Sequence, residues 1–139
     1  MAGLRPIRID TTSFPLVLTI LDGKQTDADV EEYLREVAAL YGRGEPFVTL
    51  AHIRDYAMTL SHVGKIAEAM KRLPIHLCKG SALAIPFPTF RFILSSYYLL
   101  HVPPHPVVVF EHVREAEQWA TQRLKDVGLP VPQALLAVG

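Results

Sequence analysis

Apolar and polar residues alternate along Ile7-Arg8-Ile9-Asp10-Thr11, the period of two expected of a half-buried strand. Asp10-Thr11-Thr12-Ser13 reads as a turn, after which Leu16 to Leu21 is almost continuously apolar, as a buried strand would be, until Asp22-Gly23 stops it. The two runs are close enough to pair as an antiparallel hairpin. Beyond them the period changes. Val30, Tyr33, Leu34, Val37, Ala38 and Tyr41 recur at helical spacing, with Thr26 as N-cap, Asp27 and Asp29 in the first turn, and Gly42 or Gly44 to close the helix.

The remaining chain repeats the exchange of strand for helix. Phe47 to Ile53 is a third strand. After a loop from Arg54 to Leu60, a helix starting near Thr59 or Ser61 carries Val63, Ile66, Ala67 and Met70 on one face and is broken at Pro74. Gly80 precedes a short fourth strand over 81–86, and Pro88 opens a third helix with Phe90, Ile93, Leu94, Tyr97 and Leu100 as its apolar face. Val102 to Pro106 is a stiff connector into a fifth strand, Val107 to Phe110. A fourth helix turns Ala116, Trp119, Ala120, Leu124 and Val127 inward and ends at Gly128. The order β-β-α-β-α-β-α-β-α predicts a single α/β domain over 1–128, with a mixed, mostly parallel five-stranded sheet and four helices. Residues 129–139 form an apolar, proline-broken tail.

Composition narrows the function classes. Half of the 139 residues are hydrophobic, enough for a real core. Fourteen basic residues balance fourteen acidic ones, so there is no electrostatic footprint for nucleic acid and one barrier to self-association is absent. The N-terminus has no apolar signal segment, and the dense apolar stretch from Phe87 to Val102 is too short to span a bilayer, so the expectation is a soluble cytoplasmic protein without a transmembrane segment. The single cysteine, Cys78, excludes an internal disulfide; beside Lys79 and two residues from His76, with no acid partner at hand, it reads as a buried, unreactive thiol.

No motif gives catalysis an address. His101 and His105 are four apart, but Pro103 and Pro104 forbid the helix that would join them, so the expectation is no metal and no cofactor, with the histidines on the surface or in connectors. His52, Arg54, Asp55 and Tyr56 cluster where a strand ends, the edge at which open α/β sheets place ligands. The most unusual segment is the third helix. Arg91, Phe92, Tyr97, Tyr98 and Leu99 lie in a helix apolar nearly all round, which is either buried on two sides or covered by a partner, and these residues are the candidate interface.

Gly80-Ser81-Ala82-Leu83-Ala84-Ile85, followed later by Val107-Val108-Val109-Phe110 and Val113-Arg114-Glu115-Ala116-Glu117-Gln118-Trp119, resembles the SpoIIAA-like branch of the STAS domains, the domains of anti-sigma-factor antagonists. In phospho-regulated members the modified residue follows the third strand in an Asp-x-Ser-Gly type motif. The resemblance thus puts Asp55 near the motif's aspartate and Thr59 or Ser61 near its serine, although His62 stands where the glycine would be. It implies a non-enzymatic regulatory module with a protein partner, a second copy of itself, or both. Because the same branch also resembles Sec14-type domains, a bound lipid or small apolar ligand is the alternative.

Overall fold

The computed structural model describes residues 6–54 and 60–132. β1 (Ile7–Asp10) and β2 (Leu16–Leu21) pair antiparallel, and β3 (Phe47–Ile53), β4 (Cys78–Ala84) and β5 (Val107–Phe110) add parallel to β2 in turn. The strand order is that of the chain, β1-β2-β3-β4-β5. The α/β class, the hairpin edge and the mostly parallel sheet are as the patterning predicts.

This order decides where the helices go. A path that steps along the sheet in one direction, with right-handed crossovers, puts every crossover helix on the same face. α1 (Asp27–Gly42), α2 (Leu60–Met70) and α3 (Pro88–Leu100) accordingly share one face. There Val30 of α1 and Phe90 and Leu94 of α3 pack with Ile7, Leu21, Ile53 and Ile85, and Val37, Leu40 and Tyr41 pack with Val17, Phe47, Leu77 and Cys78. The opposite face falls to α4 (Val113–Asp126), whose Ala116, Ala120 and Leu124 bury Leu16, Val48, Leu50, Ala82 and Ala84. Leu129 and Val131, the start of the tail, are partly buried against this second core.

Local chemistry sets the boundaries. Thr26 Oγ1 accepts from the Asp29 amide at 3.2 Å while Asp29 Oδ2 accepts from the Thr26 amide at 2.8 Å, a reciprocal cap on α1. Gly44, at φ +70°, takes the left-handed turn after that helix. α4 approaches so closely that a Cβ on Gly80 would sit 2.9 Å from Trp119 Cη2 and 3.0 Å from Arg123 Cγ.

Two elements depart from the sequence expectation. β4 begins at Cys78, three residues earlier than expected, so Gly80 lies inside it; a one-turn 3₁₀ helix, Ile75–Leu77, follows Pro74. The α3 face turned to the sheet is Phe90, Leu94 and Tyr98, whereas Ile93 and Leu100, expected inward, are exposed. With apolar residues almost all round, α3 has no polar stripe from which its outside can be recognised.

Candidate functional site

Three places carry chemistry. The first is the carboxyl edge of the parallel strands, where His52, Ala84 and Pro86 face the start of α4 across a hollow of about 530 Å³ closed by Glu111 to Glu115. Burial, reinforced by the Arg54 guanidinium, holds the His52 imidazole below its ordinary pKa and therefore neutral at pH 7. Arg54 turns to Asp22 at 3.7 Å, and the same carboxylate lies 3.7 Å from Arg8. Asp55 and Tyr56, expected beside His52, and Thr59 lie outside the described residues. Ser61 is exposed in the first turn of α2.

The second place is inside the helix-covered layer, at the amino end of β4. Phe47 pairs with Cys78 but Thr49 pairs with Ser81, so β4 carries one extra residue against β3. That bulge brings Cys78 and Ser81, three apart in sequence, into one cluster. Thr49 Oγ1 donates to Ser81 Oγ at 2.7 Å, Ser81 Oγ is 3.0 Å from His105 Nε2, and Cys78 Sγ lies 3.6 Å from both Ser81 Oγ and His105 Nε2 while donating to the Gly80 carbonyl at 3.5 Å. Beyond it, burial pushes the Tyr33 hydroxyl up to about 12, against a hydrogen bond with Thr19.

Ser81 and His105 stand at the distance of a nucleophile and its base, yet the cluster lacks what would activate it. His105 Nδ1 is buried and meets no hydrogen-bond partner among the described residues, so no third group orients the ring. Burial pushes the Cys78 thiol up, away from thiolate, and burial with the Arg123 guanidinium pushes His105 down, toward the neutral form. The arrangement is a polar seam that satisfies hydroxyls within an apolar layer. The local sequence offers Cys78 only His76 as a neighbouring histidine; the one that arrives is His105, delivered by the proline connector. His62 is likewise buried, 3.0 Å from Asp27 Oδ1, rather than on the surface.

The third place is the outer side of α3. Arg91 folds back so that Nη1 donates to the Ile85 carbonyl at 2.9 Å, tying the helix to the end of β4. Tyr97 and Tyr98 meet edge to face at 5.7 Å, Tyr97 stacks on His101 at 4.4 Å, and Tyr98 turns toward the core, where burial raises its hydroxyl pKa. The large apolar side chains exposed among the described residues all belong to this helix and its exit: Phe92 at 72%, Ile93 at 39%, Leu99 at 81%, Leu100 at 81% and Val102 at 82%. Between the carboxyl half of α3 and β5 runs a groove of about 590 Å³, lined by Ser95, Tyr98, Leu99, the connector and Val107 to Val109. Of the five residues expected at an interface, the structure thus exposes Phe92 and Leu99, leaves Arg91 and Tyr97 partly covered and turns Tyr98 inward.

Among the described residues no group of three or more His, Cys, Asp or Glu is arranged to hold a metal ion, and no helix is long and apolar enough to cross a membrane. Comparison with protein-family models, curated proteins and solved structures gave no match.

Proposed function

We propose that this chain is a non-enzymatic, cytoplasmic interaction module of STAS-like type that associates with a second copy of itself through the outer side of α3. The observation that carries this reading is the concentration of exposed large apolar side chains on one helix and its exit. Scattered surface hydrophobes need no explanation, but a contiguous patch marks a surface that is covered in use. The element order supports the STAS-like part of the reading, and the balanced net charge leaves little electrostatic repulsion between copies. In this reading the segment after β3, with Asp55, Thr59 and Ser61, is the regulated one.

Light scattering on wild type beside Leu99→Glu and Tyr97→Glu tests it. The expected result is a wild-type dimer that Leu99→Glu splits while its circular dichroism is retained, since Leu99 contributes little to the core. Tyr97, partly covered by Tyr98 and His101, should weaken the dimer with some loss of stability. A wild type that is monomeric at every concentration overturns the reading. The groove beside α3 favours the second reading, a small apolar or lipid ligand; native mass spectrometry of the purified protein would then show added ligand mass on a monomer.

A further inference from the structure

The two edges of the sheet differ in how they are protected. β1 carries Arg8, held to Asp22 across the hairpin, and Asp10, which accepts from the Thr12 amide and hydroxyl. Charges on an edge strand are a standard defence against pairing with another chain. β5 is Val-Val-Val-Phe, without a charge, a proline or a bulge among its four residues.

The direction of its free backbone groups follows from two bonds to β4. The Ser81 amide donates to the Pro106 carbonyl at 2.9 Å and the Ile85 amide to the Phe110 carbonyl at 2.8 Å, so Pro106, Val108 and Phe110 turn their backbone toward β4. Val107 and Val109 therefore turn theirs outward, into the groove beneath Leu99.

We infer that a second copy of this chain occupies that edge: β5 pairs antiparallel with β5 of the partner about a two-fold axis at Val108, making one continuous sheet of the two subunits. This rests on the self-association reading above and specifies its geometry. A four-residue strand whose outward groups sit at its first and third positions is complementary to itself in this register, because Val107 of each copy meets Val109 of the other and they exchange both backbone bonds. The same axis sets the two α3 helices side by side on one face of the joined sheet. At about 100° per residue, Phe92, Ser95 and Leu99 form a single stripe, which Val102 extends, and the small Ser95 at its middle lets the helices approach. Exposed apolar side chains on this scale supply several hundred Å² of the roughly 800 Å² per partner that a stable interface takes, and the paired strands with their flanking connector add to it. The patch offers no charge to match a charged partner, whereas the same uncharged surface is what a second copy brings.

Two measurements test this together. Sedimentation would compare wild type, Leu99→Glu and Val109→Pro, the last removing an outward amide that β4 does not use. Amide exchange at Val107 and Val109 would be followed in wild type at high and low protein concentration. The inference expects both variants to weaken the dimer at least about tenfold, and expects both amides to be protected only at concentrations where the dimer forms. A wild-type monomer overturns the self-association reading along with this geometry. A dimer that Leu99→Glu splits but whose Val107 and Val109 amides exchange freely overturns the strand pairing alone. If Val109→Pro fails to fold, the exchange experiment still decides.

Discussion

α3 and α4 are helices of nearly equal length that pack on opposite faces of one sheet, and they treat water differently. α4 buries Ala116, Ala120 and Leu124 and meets solvent with Arg114, Glu115, Gln118, Gln122, Lys125 and Asp126. α3 buries Phe90 and Leu94 and meets solvent with Phe92, Ile93, Leu99 and Leu100. The chain thus has the means to dress a helix for water, as α1 also does with Asp27, Glu31 and Arg35, and withholds it from α3. What differs is the job of the outer face: α4 only closes a core, whereas α3 closes a core and presents an apolar surface beside an open strand. Leucine on the two helices should therefore behave as two different residues. Leu124→Ala removes a fully buried side chain from the α4 core and should cost about 2–5 kcal/mol in urea unfolding. Leu99→Ala, at protein concentrations too low for association, should stay within about 0.5 kcal/mol of wild type. Equal losses would place the outer side of α3 in the core of the single subunit and remove the distinction.

The closeness of α4 gives the next largest effect. Gly80 lets the helix settle onto β4, with Trp119 over the missing Cβ and Arg123 Nε donating to the Lys79 carbonyl at 2.7 Å. Gly80→Val must move the indole and strain that hydrogen bond, for about 1–3 kcal/mol of lost stability. Trp119 is the only tryptophan, so its emission reports the displacement directly. An unshifted spectrum with unchanged stability would mean that α4 does not press on β4 at Gly80.

The same contrast explains what sequence reading captured. On α4, charged and polar residues at regular intervals mark the wet side, and the spacing alone turns Ala116, Trp119, Ala120 and Leu124 inward. On α1 the cap at Thr26 and the glycines at 42 and 44 mark both ends, and the structure gives the left-handed turn to Gly44. α3 has a proline to mark its start but nothing to mark its outside, so helical spacing points Leu100 inward and passes over Tyr98. The class of fold and the order of elements were legible because turn, glycine, proline and cap residues separate short apolar runs from longer segments with helical spacing. The polar seam was not, because it depends on a bulge in β4 and on where a proline connector delivers His105, and neither follows from the local period. The open β5 edge was also hidden, since the local pattern of a strand does not give its neighbours in the sheet.

The smallest effect separates the two faces by pH. His105 lies in the connector from α3, within the seam on the face that α1, α2 and α3 cover, while His52 sits on the α4 face at the other end of the strands. Burial lowers both pKa values, aided at His105 by Arg123 and at His52 by Arg54. In the unfolded chain each imidazole titrates near 6.5. As pH falls through that value, the unfolded chain takes up protons that the folded protein does not, so stability is retained above about 6.5 and declines as pH drops toward the folded pKa values. Asp10, whose carboxyl is held below its usual value by the Thr12 hydrogen bonds, acts only at lower pH and leaves this window to the histidines. His105→Asn should flatten the decline between about pH 7 and 5, measured as the urea midpoint at each pH, and His52→Asn should flatten it less, because the more exposed ring is held neutral less firmly. If His105→Asn leaves the slope unchanged while His52→Asn abolishes it, the His105 ring titrates as it would in water, and the seam is open to solvent rather than sealed within the apolar layer.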